Sequence, residues 1–345
     1  MPLYSPEQIE KLSAGIFKAV GAPTDIADHV AHSLVVSNLM GHDSHGVLRI
    51  PSYLEAVEKG TAVPAARPSI VSETETTAQV DGNWAFGQIT ASFATKVAIE
   101  KASAHQVSAV SISRCTHIGR LGEYTEMAAQ RGMFAFMVGG TFNAGPVAPY
   151  GAASRVLGTN PFSFALPGPK DEAVVADIAT SVAAEGKLRV ARAKGISVAP
   201  GTILDKDGNS STDPNDFYAG GVLLPFGGHK GYVLSVIGDL LGRHIAAAEK
   251  ANMSDVYFGH FLVVVNVAAF RPLADFDEAV SARLGEIKAA KVAPGFSEVL
   301  LPGEVERRTR AARSVEGIML PDDTVQRLTE IAQKYDLPMP EAKAE

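Results

Sequence analysis

The chain has 345 residues, 46% hydrophobic and 20% charged, enough to bury a sizeable core in one large domain or two smaller ones. Its 31 basic residues against 38 acidic ones leave a net charge of -7, which lacks the basic excess of a nucleic-acid binder. No apolar run approaches the roughly 20 residues that span a bilayer; the N-terminus shows no secretory pattern, and Cys115 is the sole cysteine, so a cytoplasmic protein without disulfides or a membrane partner is expected.

The first sixty residues read as helical. Ser5 and Gln8 form a capping box, Pro6 takes the first helical position, and Ile9, Leu12, Ile16 and Val20 recur at helical spacing. Thr24 is expected to cap a second helix with a stripe of Ile26, Val30, Leu34 and Leu39, stopped by Gly41. A third runs from Pro51 to Gly60, with Tyr53, Leu54 and Val57 in the core. After Pro64 the pattern alternates. Strands are expected at 69–72, 77–81, 107–113, 134–138, 162–166, 174–178 and 261–267, and helices at 87–105 and 120–131. Helical spacing returns at 232–241, 276–289, 305–313 and 324–335. The expected architecture is α/β, with an α-helical subdomain built from both chain ends (1–66 and 275–345) and an α/β catalytic subdomain (67–274) inserted between them.

The run Gly41-His42-Asp43-Ser44-His45-Gly46-Val47-Leu48-Arg49 concentrates chemistry. His45 can exchange a proton near neutral pH, and Arg49 can hold a carboxylate with two parallel hydrogen bonds. On a helix, residues four apart share a face, so both would point into one cavity. Such a pair suits a 2-oxo or 2-hydroxy acid. A metal site on His42, Asp43 and His45, as in a lyase or hydrolase, is the rival, without an accompanying HExxH or calcium-loop register. A helix end capped by polar side chains is the plain alternative.

Thr116-His117-Ile118-Gly119-Arg120-Leu121-Gly122 lies between a strand and a helix, where His117 could reach a substrate. Gly158-Thr159-Asn160-Pro161 precedes a strand. Asp177-Ile178-Ala179-Thr180-Ser181 ends another, with Ser181 as an expected N-cap whose helix would face a phosphate, and Asp177 as a carboxylate in need of a partner such as an imidazole. Gly227-Gly228-His229-Lys230-Gly231 resembles an anion cradle but is neither a Walker A loop nor a dinucleotide fingerprint. Pro302-Gly303-Glu304 opens a helix, and Asp207-Gly208 reads as a hairpin turn.

In this order, the motifs resemble the malate/L-lactate dehydrogenase family over nearly the whole chain, and 41–46, 117–122 and 186–201 look most like its hydroxycarboxylate dehydrogenase B type. Where many members have a second Gly after Tyr-Gly, this chain has Ala152. The resemblance implies a non-Rossmann fold, a homodimer and hydride transfer with NAD or NADP. It implies His45 as proton donor and acceptor, a role given in some members to the position of His117. Asp177 is then expected to orient His45, Arg49 to hold the substrate carboxylate, and Ser44, Thr159 and Asn160 to touch substrate. Cofactor contacts carry over to Thr141, Asp177, Ile178, Ala179, Thr180, Ser181, Val182, Ala183, His229, Lys230, Pro302, Gly303 and Glu304, with 142–144 shaping the substrate pocket and no metal required. A cyclic-imine carboxylate reduction is the nearest alternative chemistry within the family.

Overall fold

The computed structural model describes residues 2–141, 145–169, 172–246 and 258–343. Strand β1 (Leu3–Tyr4) leads into helix α1 (Pro6–Ala19), capped by Ser5, whose Oγ accepts from Gln8 N over 3.4 Å. Helix α2 (Thr24–Leu39) follows. Pro23, in extended backbone, holds its cap position, so Thr24 is already helical and makes no hydroxyl cap. Two single 3₁₀ turns, Asp43–His45 and Val47–Arg49, then lead to helix α3 (Ile50–Glu58). One continuous helix through His45 and Arg49 is therefore not formed, because Gly46 breaks it in extended backbone.

Strands β2 (Ser69–Glu73) and β3 (Thr77–Asp81) precede helix α4 (Gly87–His105) and strand β4 (Val107–Cys115). Helix α5 (Gly122–Ala129) is shorter than the expected 120–131, and is followed by strands β5 (Met133–Thr141), β6 (Phe162–Leu166) and β7 (Val174–Ile178). Helix α6 (Glu185–Lys194), strands β8 (Ile203–Leu204) and β9 (Ser210–Ser211), helix α7 (Pro214–Tyr218) and strand β10 (Val222–Leu223) form a small outlying unit. The expected turn at Asp207-Gly208 joins β8 to β9, with Asp205 Oδ1 accepting from the Asp207 and Asn209 amides. Helix α8 (His229–Leu240) runs into a π-helical turn, Leu241–Ile245. Strand β11 (Phe258–Asn266), helices α9 (Leu273–Lys288) and α10 (Glu304–Glu316), strand β12 (Ile318–Met319) and helix α11 (Asp322–Lys334) complete the order.

This is a mixed α/β fold. Among the described residues, seven strands form the central sheet in the order β2-β3-β4-β11-β5-β6-β7, and only β3 and β4 pair in parallel, across α4. Long β-branched and apolar runs explain its middle: Val110 and Ile112 of β4 and Leu262 and Val264 of β11 are fully buried. A second core joins the chain ends. Ile9, Ile16 and Phe17 of α1 and Ile26 and Leu34 of α2 pack with Ile318 and Leu328 from the far end of the sequence. The C-terminal segment thus lies against the helices that frame the His45 turn.

Candidate active site

The turn carrying His45 is built from behind. Asn38, 2% exposed near the end of α2, donates from Nδ2 to Asp43 Oδ1 (2.7 Å) and accepts from Val47 N (2.9 Å). That amide fills the space of any side chain at residue 46: a Cβ on Gly46 would lie 2.1 Å from Asn38 Oδ1. Arg313 of α10 closes the other side with a bidentate pair to Asp43 (2.7 and 3.1 Å) and a bond to the Asn38 carbonyl. Arg49 Nε donates to the Ser44 carbonyl over 2.6 Å, folding its guanidinium back over the turn. Ser44 Oγ lies 3.0 Å from His45 Nδ1. The expected meeting of His45 and Arg49 is achieved by a pair of tight turns rather than by a helix face.

Helix α3, helix α4 and strand β4 bring His117 to the same place. The His45 and His117 rings stack at 5.4 Å between centroids and 19° between planes. The Tyr53 hydroxyl of α3 sits 2.8 Å from His117 Nδ1. The start of α4 presses so closely on the loop that a Cβ on Gly87 would lie 2.3 Å from the His117 carbonyl oxygen. Burial first, and then the Arg49 charge, push His45 down to about 3 and His117 well below the ordinary imidazole range. His260 of β11 is held at about 3 by burial and acts electrostatically on His117.

Asp177, at the end of β7, takes other partners than expected. Its Oδ2 accepts from Gly122 N over 2.7 Å at the start of α5. Burial raises its carboxyl, and the imidazole whose charge opposes that is His42, whose Nε2 is 3.7 Å from Glu306. The structure thus turns Asp177 toward His42 and not toward His45. Asp177 and Gly303 line one small cavity with His42, Arg120 and Glu306. Arg120 is 5% exposed, and its Nε lacks a hydrogen-bond partner among the described residues.

The remaining predicted segments divide. Thr159 O accepts from Thr180 N and Oγ1, Thr180 O accepts from Phe226 N, and Val182 N donates to Leu224 O. The loops at 159, 180–182 and 224–231 are therefore knit together. No helix starts at Ser181, which pairs with Pro225 and donates from Oγ to Ala183 O; α6 begins at Glu185 with Ala184 as its cap. The expected helix N-terminus lies instead at α8, behind Gly227 and Gly228 with φ of +57° and +63°. His229 and Lys230 open it, exposed, with the Tyr150 ring edge-on to His229. Asn160 is fully buried and donates to Ser235 O and Oγ on α8, tying loop to helix, while its Oδ1 has no hydrogen-bond partner among the described residues. Glu304 accepts from Leu301 N and is held by Lys288 at 2.7 and 2.8 Å. Thr141 ends β5; residues 142–144, expected to shape the pocket, lie outside the described residues.

The three residues of the metal reading face different partners. Asp43 is taken by Arg313, His42 faces Glu306, and His45 stacks on His117. Among the described residues no group of three or more His, Cys, Asp or Glu side chains is arranged to hold a metal ion. Sequence reasoning overlooked Asn38, Gln88, Arg313 and His260, and took Tyr53 for core alone. Tyr53 is indeed 7% exposed, but a buried phenol needs a hydrogen-bond partner, and that requirement was the available signal.

A guanidinium acting on two stacked imidazoles, set on a mixed α/β fold, is a site with a charge for a carboxylate and rings for a proton. The chain belongs to the malate/L-lactate dehydrogenase family, whose model matches residues 4–329. It is 34% identical to the malate/(S)-sulfolactate dehydrogenase of Methanothermus fervidus, over 97% of this chain and 98% of that protein. It is 31% identical to hydroxycarboxylate dehydrogenase B of Escherichia coli O157:H7, over 97% and 95%. The crystal structure of malate dehydrogenase from Entamoeba histolytica superposes with a TM-score of 0.92 at 28% identity, covering 98% of this chain and 99% of that one.

Proposed function

We propose that this protein interconverts a 2-oxo acid and its 2-hydroxy acid, a malate-, lactate- or sulfolactate-like pair, using NAD or NADP. The observation that carries the reading is the His45–His117 stack under the influence of Arg49. A carboxylate on Arg49 places the adjoining C2 oxygen beside the imidazoles, because C2 is bonded directly to that carboxylate. His45, whose Nδ1 lies 3.0 Å from the Ser44 hydroxyl, gives the proton to that oxygen on reduction and takes it back on oxidation.

The chain also suits a dinucleotide. Successive left-handed glycines ahead of α8 present bare backbone, and Gly231 has no room for a side chain, since its Cβ would lie 2.4 Å from the Phe226 carbonyl oxygen. Thr180, Ser181, His229 and Lys230 would hold one part of the cofactor, and Asp177 and Gly303 another. When bound, the nicotinamide supplies or accepts the hydride. The sheet's antiparallel pairs support a non-Rossmann arrangement, and the shared core of the chain ends supports a helical part at 1–66 and 275–345 around an α/β part at 67–274. Helix α8 supports a homodimer. It buries Gly231, Ser235 and Gly238 and leaves Val233 (53%), Ile237 (47%) and Leu240 (46%) exposed, a face suited to a second copy.

The test is an absorbance assay at the dihydronicotinamide band with pyruvate, oxaloacetate, sulfopyruvate and a cyclic imine carboxylate. Oxidation of NADH or NADPH by one or more of the 2-oxo acids is expected. Turnover of the imine alone would move the assignment to imine reduction, and no turnover together with no dinucleotide binding would reject it.

A further inference from the structure

Two groups meet one nitrogen of His117, and a third acts through one of them, in a way that decides its tautomer. Gly119 N donates to His117 Nδ1 over 3.3 Å. A backbone amide has only a proton to give, so Nδ1 must meet it with a lone pair. The Tyr53 hydroxyl lies 2.8 Å from the same Nδ1 and 3.4 Å from the His117 carbonyl oxygen, and donates to the nearer acceptor, Nδ1. Its oxygen in turn accepts from Gln88 Nε2 at 2.8 Å, which leaves the hydroxyl proton for His117. Burial pushes Tyr53 up to about 12, so the hydroxyl stays a donor throughout the working pH range. Burial, the largest influence on this ring, keeps the imidazole neutral with or without a carboxylate on Arg49. A neutral ring that accepts at Nδ1 carries its proton on Nε2.

We propose that His117 is a fixed neutral hydrogen-bond donor, its Nε2–H set by Gly119, Tyr53 and Gln88, that polarises the substrate's C2 oxygen without exchanging a proton with it. The inference rests on the reading above, in which Arg49 holds the substrate carboxylate. As hydride adds to C2, the C2–O π pair moves onto oxygen, which takes a proton from protonated His45. The oxo acid is reduced, the dihydronicotinamide is oxidised, and His45 is left neutral. His117 cannot supply that proton, since loss of Nε2–H would leave an imidazolate anion. Its N–H instead stabilises the charge developing on oxygen, as a preorganised donor does elsewhere. Tyr53 on α3 and Gln88 on α4 are positioning residues, acting through His117. The division of labour follows from wiring: His45 faces the mobile hydroxyl of Ser44, which serves either protonation state, whereas His117 Nδ1 faces a backbone N–H, which serves only one.

Substitution by glutamine separates the two roles, because its side-chain amide can donate from the place of Nε2 but cannot relay a proton. His117→Gln is expected to keep kcat within about tenfold of wild type, while His117→Ala loses on the order of 10²–10³-fold, the usual effect of removing one such donor. His45→Gln should be as inactive as His45→Ala. Long-range ¹H–¹⁵N correlation spectra of histidine-labelled wild-type protein should show His117, assigned by its loss in His117→Gln, protonated at Nε2. In Tyr53→Phe this signal should move toward a mixture of tautomers, with kcat lowered and NADH affinity unchanged. An Nδ1-protonated His117 in wild type would overturn the inference, as would a folded, NADH-binding His117→Gln no better than His117→Ala. If wild type reduces none of the acids, the functional reading fails, and the tautomer spectrum still decides the hydrogen-bond assignment.

Discussion

Arg49 and His260 show how single groups set the chemistry and the stability of this site. Burial, and then the Arg49 charge, lower two imidazoles, and in the proposed reading Arg49 holds the substrate carboxylate. Arg49→Met is expected to cost roughly 2–5 kcal/mol in kcat/KM for a 2-oxo acid, by analogy with a broken desolvated pair. Dinucleotide affinity, measured by fluorescence titration, should barely change; its loss would place Arg49 in the cofactor site. His260 is 3% exposed and is held at about 3 by burial, below the roughly 6.5 of an imidazole in the unfolded chain. Between those values the unfolded chain binds more protons, so the stability that neutral His260 contributes is present above about pH 6.5 and is lost as pH falls toward 3. His45, also held at about 3, adds to the same window. Urea midpoints should fall from pH 7 to pH 5, and His260→Gln should remove about one proton from the uptake on unfolding. An unchanged pH slope in that variant would contradict the burial account. At this scale His45, Arg49 and His117 were readable because imidazole and guanidinium in a polar run name their chemistry. The second function of Tyr53 was not, because its partner is 64 residues away.

Among elements, the long regular ones were readable and the irregular ones were not. Helix α4, Gly87–His105, and strand β6, Phe162–Leu166, fall where the local apolar pattern places them, since pattern and burial agree there. The His45 turn is different. Its shape is imposed by Asn38 from one helix and Arg313 from another, 275 residues apart in sequence. The Arg313–Asp43 pair is expected to act as the clasp that aims His45 and Arg49. Asp43→Ala and Arg313→Ala should each lower kcat/KM for the oxo acid with cofactor affinity intact. Their double-mutant cycle should show coupling of about 0.5–3 kcal/mol, as for residues sharing a hydrogen-bond network. Additive effects would mean that the pair only decorates the surface. Ser181 illustrates the opposite failure. A hydroxyl after a strand resembles an N-cap, yet Val182 N is drawn to Leu224 O, and no helix begins before Glu185.

At the scale of the whole molecule, α8 turns its apolar residues outward and its small ones inward, the reverse of a helix that closes a monomer's core. Light scattering is expected to return twice the 36.2 kDa chain mass, and Ile237→Asp should shift the protein toward monomer. A wild-type mass of one chain would remove the dimer from the reading. Composition and periodicity by themselves determined a mixed α/β chain with a helical start and finish, in which no described helix is long and apolar enough to cross a membrane, and they singled out the run around His45 as the candidate site, because those properties depend on residue type and local spacing. Tertiary structure alone decided that the two chain ends share a core, that Asp177 faces His42, that Asn160 anchors α8, and that His117 is locked by Tyr53 and Gly119. The physical reason is that hydrogen bonds and charge pairs act over a few ångströms in space, and which distant residues come within that reach is settled only when the chain has packed.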